Sequence, residues 1–215
     1  MRMTFLLAAS AVALAACSGP ADQETGPDEG VDGAVEAASW TYDNSAEWGT
    51  VNEDYATCAT GTVQSPINFV RADATDSEDV SLQINWQSGP MTIEGAGYNS
   101  NVVAPEGGYI MLEGERYDFI QAHMHMPSEY TIEGEQPAGD IHFVHASETG
   151  ELAVIGVFLA EGEANEALAA AFDAFSTDEG SQTLEGETFD PSAILPETQS
   201  FFRFPGSLTT PPCSE

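Results

Sequence analysis

Three of the four histidines are spaced so that they could bind one metal ion. His123 and His125 flank a single methionine in a run that predicts a β-strand. Alternate side chains of a strand point to the same face, so both imidazoles can reach one point. His142 lies in the next predicted strand, after a turn at residues 133–134, and a hairpin would bring it beside the first pair. The spacing therefore predicts a three-histidine metal site.

This ligand set is typical of a catalytic centre. Three histidines with an open fourth position are typical of catalytic zinc, because structural zinc sites are normally closed by four protein ligands. Imidazole nitrogen also binds copper, nickel and iron, so the ligand type alone leaves the metal open. The remaining histidine, His145, follows His142 by three residues and points to the opposite face of an extended strand. We expect His145 to have a structural role.

Strand-like segments dominate the region that must position these histidines. Glycine, proline, asparagine and acidic residues separate the segments. The one clear helix is predicted from Glu163 to Phe175, where Leu168, Phe172 and Phe175 recur at i, i+4 and i+7. The predicted strands are 80–86, 91–94, 101–104, 109–112, 117–126, 139–145 and 152–159. We predict an α+β, mainly β fold, with one domain built on a large, mostly antiparallel twisted sheet and a few short helices.

The first 39 residues have the composition of a signal and a linker. Residues 1–16 contain an apolar run too short to span a bilayer and end in small residues before Cys17. This pattern is typical of a bacterial lipoprotein signal peptide, with the lipid on Cys17; an ordinary secretory signal is the alternative. Residues 17–39 lack aromatic residues and predict an acidic, flexible tether. We expect a folded domain over 40–215, exported to the periplasm or cell surface.

The chain is strongly acidic, with 36 Asp and Glu against four Arg and no Lys, and a formal net charge of −32. Nucleic acid is an unsuitable partner, because phosphate binding needs clustered cations. The acids are scattered through predicted loops, which favours a solvated surface over a metal store. We hypothesise a protein adapted to high salt, where charges are screened.

Two cysteines remain once Cys17 is set aside for the lipid. Cys58 and Cys213 are an even pair in a chain expected to be exported, which predicts a disulfide. A bridge closing a loop of roughly 150 residues would contribute about 5 kcal/mol in the chain-entropy model. Two unrelated thiols are the alternative.

Five sequence blocks, in matching order, together resemble the α-carbonic anhydrase family. The blocks are Gln64 to Asn68, Gln121 to His125, Pro127 to Thr131, His142 to His145 and Pro205 to Pro212, and the similarity runs from Trp40 to the end of the chain. The resemblance implies the α-carbonic anhydrase fold and a zinc-dependent enzyme. The implied reaction is the reversible hydration of carbon dioxide to bicarbonate and a proton, by attack of zinc-bound hydroxide.

Carried over residue by residue, the resemblance also assigns roles. His123, His125 and His142 would be the ligands of one zinc ion. Glu129 would accept a hydrogen bond from Thr209, whose oxygen would accept one from the zinc-bound hydroxide. The supporting assignments are Gln121 and Asp140 as partners of ligand imidazoles, Val144, Val154, Leu208 and Thr210 as the carbon dioxide pocket, and Cys58–Cys213 as the disulfide of bacterial members.

The chain departs from the family pattern at three places. Tyr98 follows Gly97 where the family's best-known proton shuttle is a histidine, and a phenol ionises about 3 pH units above neutrality. We expect slow proton export that buffer rescues. Asp140 replaces the usual glutamate and is one methylene shorter, so it reaches His142 only through a small strand shift or a water. The chain stops six residues after Thr209, where family members continue. We expect a fragment that lacks the family's C-terminal segment; a protein that folds with an exposed sheet edge and a leaky site is the alternative.

Two rival interpretations are open from the sequence. A cupin, another metal-binding β fold, would use Glu129 as a fourth ligand, but only seven residues separate Glu129 from Pro137, too few for the intervening strands of that barrel. A non-catalytic zinc-binding module on the cell surface is the second, although such relatives usually lose a ligand histidine. A homodimer is left open, and we expect membrane contact only through the lipid.

Overall fold

The computed structural model describes residues 5–6, 40–76 and 80–215. The strands are β1 Phe5–Leu6, β2 Asn68–Phe69, β3 Leu82–Asn85, β4 Gly89–Gly95, β5 Ser100–Val103, β6 Tyr109–Leu112, β7 Glu115–His125, β8 Thr131–Ile132, β9 Gly139–Ala146, β10 Glu151–Leu159 and β11 Gly180–Phe189. Nine of these described strands form one sheet in the order β1-β10-β9-β7-β5-β4-β11, with β6 joining β7 to β3, and all its pairs are antiparallel. The separate pair β2–β8 is parallel. The predicted mainly antiparallel architecture is confirmed.

The expected signal peptide (residues 1–16), lipid-bearing Cys17 and tether lie outside the described residues, except for the Phe5–Leu6 backbone that pairs with β10. Among the described residues, no helix combines the length and the apolar content that crossing a membrane requires.

The helices are short. They are α1 Trp48–Val51, α2 Thr57–Thr60 and α3 Glu166–Asp173, with 3-10 turns at Tyr42–Glu47, Glu53–Tyr55, Arg71–Asp73 and Pro191–Ile194. The predicted helix 163–175 was too long at both ends, since α3 runs from Glu166 to Asp173. At its start the Asn165 side chain caps α3 by accepting from the Ala167 N–H at 3.0 Å. Of the three apolar residues whose spacing predicted this helix, only Leu168 is buried.

Only part of the apolar surface of α3 is buried against the sheet. Leu168 and Ala171, three residues apart, are buried against the sheet, whereas Phe172 and Phe175 are exposed. Contact through the Leu168–Ala171 ridge turns Phe172 outward, because neighbouring helix positions point about 100° apart.

Strand β11 was missed because its sequence lacks alternation of apolar and polar residues. Its glycines, acids and hydroxyl residues are almost all exposed, and it lies at the edge of the sheet beside β4. Backbone hydrogen bonds to β4, together with the burial of Phe189 at the end of the strand, hold β11 in place.

The core lies around β7, β9 and β10, on the face opposite the metal-site histidines. Trp86 stacks on Phe143 at 4.5 Å between ring centroids. The Trp86 indole N–H donates to Nε2 of His145 at 2.8 Å, so the other ring nitrogen carries the proton and donates to the Ala153 carbonyl at 3.2 Å. His145 is fully buried, and the structural role predicted for it is confirmed.

Candidate metal centre

The imidazoles of His123, His125 and His142 form a compact triangle, with ring centroids 5.0, 5.1 and 4.9 Å apart. β7 and β9 pair in a register that sets His123 opposite His142, which confirms the predicted pairing of the two histidine strands. One ring nitrogen from each histidine lies within 4.8 Å of the other two. Nε2 of His123 and Nδ1 of His142 face each other at 3.3 Å. The three predicted ligands are therefore brought together at one point.

The surroundings keep two of these rings neutral. Oε1 of Gln121 lies 2.9 Å from Nδ1 of His123; it accepts that N–H and leaves Nε2 with a free lone pair. Burial, followed by the nearby imidazoles, lowers the pKa of His123 well below its ordinary value, and burial lowers the pKa of His125 to about 4. Neutral imidazole is the form that binds metals. Nε2 of His125 is buried and has no hydrogen-bond partner among the described residues.

Asp140 lies behind the third histidine. Its Oδ2 accepts hydrogen bonds from the Ser128 hydroxyl at 2.7 Å and from the Glu129 backbone N–H at 3.0 Å. The distance from Oδ2 to Nε2 of His142 is 3.7 Å, too long for a direct hydrogen bond. Burial alone raises the pKa of Asp140, but His142 and the Ser128 hydrogen bond outweigh burial and leave the pKa lowered. The carboxylate is therefore charged beside His142.

Glu129 lies close to two of the three imidazoles. Its Oε2 is 3.5 Å from Nε2 of His125 and 4.0 Å from Nδ1 of His142. Burial raises the pKa of Glu129, and the nearby His142 imidazole and a side-chain hydrogen bond with Thr209 oppose that rise. The structure thus joins Glu129 and Thr209, which are 80 residues apart in the sequence.

The loop that carries Thr209 is tied to the segment before β2. A disulfide joins Cys58 to Cys213, as the cysteine count predicted. The Cys213 N–H donates to the Thr210 carbonyl at 2.9 Å, and Nε2 of Gln64 donates to the Cys213 carbonyl at 3.1 Å. These contacts hold the loop against the folded domain.

Known proteins resemble this chain in sequence and in fold. The family model of eukaryotic-type carbonic anhydrases matches residues 43–215. The carbonic anhydrase of Pectobacterium atrosepticum is 35% identical over 185 residues, which are 85% of this chain and 75% of that protein. The carbonic anhydrase of Neisseria gonorrhoeae is 33% identical over 180 residues, 82% of this chain and 70% of that protein. The chain belongs to the α-carbonic anhydrase family.

A solved structure agrees with this membership. The α-carbonic anhydrase from Thermovibrio ammonificans, in complex with the inhibitor sulfanilamide, matches with a TM-score of 0.76 and 33% identity over 82% of this chain and 80% of that chain. The open nine-stranded sheet of the described residues, together with this family match, excludes the cupin interpretation.

Two of the expected pocket residues of the carbonic anhydrase site face each other. Val144 on β9 lies directly opposite Val154 on β10, and Val144 shares a sheet face with His142 because the two are two residues apart. Leu208 and Thr210 flank Thr209 in its loop and are partly buried. Their assignment to the carbon dioxide pocket stays a prediction.

Tyr98 is about half exposed, and its ring lies 4.7 Å from that of Trp40. Its part in proton transfer stays a prediction. Tyr42 was not predicted as a candidate. Its side chain is 44% exposed, and partial burial, with a smaller contribution from the charge of Glu129, raises the pKa of its phenol to about 12. No local pattern marks Tyr42, because it lies in a 3-10 turn far from Glu129 in the sequence.

Proposed function

We propose that the protein catalyses the reversible hydration of carbon dioxide to bicarbonate and a proton, with one Zn²⁺ held by His123, His125 and His142. The observation that carries this proposal is the convergence of three imidazole nitrogens within 4.8 Å in a member of the α-carbonic anhydrase family. Relatives that match more than four fifths of this chain are named carbonic anhydrases.

The residues present fit a zinc ion. Nε2 of His123 and Nδ1 of His142 face each other at 3.3 Å, and Nε2 of His125 is buried without a hydrogen-bond partner among the described residues. Buried polar atoms normally have partners, so a cation at this point would satisfy all three nitrogens. Three imidazoles leave a fourth tetrahedral position open. When bound, Zn²⁺ supplies Lewis acidity that lowers the pKa of a water molecule to about 7, so that a nucleophile exists at neutral pH.

Gln121 and Asp140 hold the ligands in place. The amide oxygen of Gln121 selects the His123 tautomer that directs Nε2 inward. Asp140 places a negative charge near Nε2 of His142 and so favours an N–H at that atom, which leaves Nδ1 for the metal.

Thr209 orients the attacking oxygen. A threonine hydroxyl has a single proton, and Thr209 donates that proton to Glu129. The oxygen of Thr209 is then available only as an acceptor, so the attacking group must donate to it. That constraint directs a lone pair of the attacking oxygen toward carbon dioxide. Val144 and Val154 supply an apolar surface suited to an uncharged substrate.

Location and assembly are further proposals. Residues 1–16 would be a lipoprotein signal peptide, Cys17 the lipid-bearing cysteine and residues 17–39 a tether for the catalytic domain 40–215. The Cys58–Cys213 disulfide supports an oxidising compartment, the periplasm or cell surface. A homodimer stays an alternative. If Cys17→Ser leaves the protein in the membrane fraction when the full chain is expressed, the anchor proposal is wrong.

Stopped-flow hydration of carbon dioxide by the zinc-loaded full chain tests the proposed function. Replacing any of the three ligands by alanine should lower the amount of bound zinc and reduce kcat/KM by more than about 100-fold. Loss of a ligand should cost more than loss of a ligand's hydrogen-bond partner, which typically costs about 10- to 100-fold. His145→Gln is the matched control, and it should keep zinc and activity in the folded fraction. A zinc-loaded chain that hydrates no carbon dioxide would favour a non-catalytic zinc-binding module.

A further inference from the structure

Ser65 and Ser207 form a reciprocal pair of hydrogen bonds between segments 142 residues apart. The Ser65 backbone N–H donates to the Ser207 hydroxyl at 2.8 Å, and the Ser207 backbone N–H donates to the Ser65 hydroxyl at 3.2 Å. Both serines are buried, with Ser207 fully so. Water cannot replace these bonds, so the pair fixes the distance between the two segments.

The Ser65 side chain has a second partner. It is hydrogen-bonded to the hydroxyl of Tyr130, whose ring is buried and lies edge-on to the His142 imidazole at 5.8 Å between centroids. One hydroxyl group thus joins the segment containing Tyr130 to the loop containing Ser207. A Cβ on Gly206 would collide with Oγ of Ser65, so the loop approaches this closely only because residue 206 is glycine.

The hydrogen bonds of Ser65 connect two segments that each carry a residue of the candidate site. Tyr130 directly follows Glu129, and Ser207 precedes Thr209 by two residues. Ser65 therefore connects the backbone segments on which Glu129 and Thr209 are carried, and the hydrogen bond between those two side chains depends on the spacing of these segments. The Ser207 hydroxyl also donates to the Leu208 carbonyl at 2.9 Å, which limits rotation of the backbone just before Thr209.

We propose that Ser65 is a positioning residue for the reaction, which holds Thr209 where its hydroxyl can donate to Glu129. This inference rests on the proposed function. Ser65 touches neither substrate nor metal, and its effect on the reaction is exerted wholly through Thr209. Without the bridge the Thr209 hydroxyl is free to donate elsewhere, and the attacking oxygen loses its fixed acceptor.

A double-mutant cycle tests the proposal in the zinc-loaded full chain. Ser65→Ala removes the hydroxyl that bonds both the Ser207 N–H and Tyr130, and it should lower kcat/KM for carbon dioxide hydration at least about tenfold, with zinc content unchanged. In a Thr209→Ala background the same substitution should change kcat/KM by less than about twofold, because the group through which Ser65 acts is already absent. Tyr130→Phe, which removes only a hydroxyl, should repeat this pattern and serves if Ser65→Ala does not fold.

Ser147→Ala is the matched control, since Ser147 is buried and its hydroxyl accepts the Glu151 N–H at 3.1 Å in the β9–β10 turn. This variant should lose stability without losing kcat/KM. An equal fold-loss for Ser65→Ala with and without Thr209 would show a merely structural role and overturn the positioning proposal, as would an unchanged kcat/KM. An inactive unaltered chain would overturn the proposed function and this inference with it.

Discussion

Oδ2 of Asp140 lies 3.7 Å from Nε2 of His142, while the same oxygen accepts hydrogen bonds from Ser128 and from the Glu129 N–H. The carboxylate therefore acts on the imidazole through its charge, and its two hydrogen bonds hold it in place. The expectation that the shorter aspartate reaches His142 only through a strand shift or a water agrees with this distance.

Asp140→Asn should weaken zinc binding by about 10- to 100-fold while leaving the fold intact. The substitution keeps the shape and an oxygen for the Ser128 and Glu129 donors but removes the charge beside His142. Competition with a chelator at neutral pH measures the change. Asp118→Asn, at a surface carboxylate paired with Arg116, is the control and should leave zinc affinity unaltered. Equal affinities in the two variants would contradict the charge role.

His145 makes the protein less stable in acid. Burial lowers the pKa of His145 to about 4, against about 6.5 in the unfolded chain. Between these values the unfolded state binds more protons, so stability is complete above about pH 6.5 and falls as the pH falls toward 4. From about pH 7 to pH 5 the loss from this site should be about 2 kcal/mol.

The matched variant for this prediction is His145→Gln. It should be less stable at neutral pH, because Trp86 loses its acceptor, but its stability should fall less steeply with acid. Urea unfolding of both zinc-free proteins at the two pH values measures the difference, since the ligand histidines titrate in both. Parallel pH dependences would show that His145 contributes nothing to it.

Breaking the Cys58–Cys213 bridge should lower the free energy of unfolding by about 5 kcal/mol in the chain-entropy model, because the bridge joins residues 155 apart. The double variant Cys58→Ser with Cys213→Ser should also lose activity, since Thr209 lies in the loop that the bridge ties down. Reductant should destabilise the unaltered protein and leave the double variant unaffected. A double variant as stable as the oxidised protein would refute this role.

Proton export should limit turnover at low buffer concentration, because Tyr98 is expected where the family has its shuttle histidine and a phenol is a poor proton carrier near neutral pH. We expect kcat to rise with imidazole-type buffer, and Tyr98→His to raise kcat at low buffer by at least about tenfold. At saturating buffer the variant and the unaltered protein should have the same kcat. Tyr109→His, whose ring is covered by Arg116, is the control. A kcat that does not depend on buffer concentration would contradict the prediction.

Salt should stabilise the protein. With 36 acidic residues and four arginines, most carboxylates have no cation to pair with and repel one another. Raising salt from about 0.1 M to about 1 M shortens the screening length from about 10 Å to about 3 Å, so Tm should rise over this range. Sucrose is the uncharged control. A Tm that is highest in low salt would count against adaptation to a saline habitat.

The spacing of residues along the sequence was enough to predict the histidine strands, their pairing and the disulfide. Period-two placement of His123 and His125, and a third histidine in the next apolar run, predicted the strands and their pairing because a strand's side chains alternate whatever lies around it. The even cysteine pair likewise predicted the bridge. The apolar spacing in α3 did not show which of its residues are buried, because helix rotation is set by what packs against the helix. Strand β11 was missed because an exposed edge strand carries no apolar pattern.

Only the tertiary structure decided which distant groups meet. Ser65 and Ser207 bond across 142 residues, and Glu129 meets Thr209 across 80, through geometry that no local pattern records. Such contacts depend on the packing of the whole sheet and its loops, because hydrogen bonds act only within about 3 Å. The sequence therefore predicted which residues could carry the chemistry, whereas the fold set the distances between them.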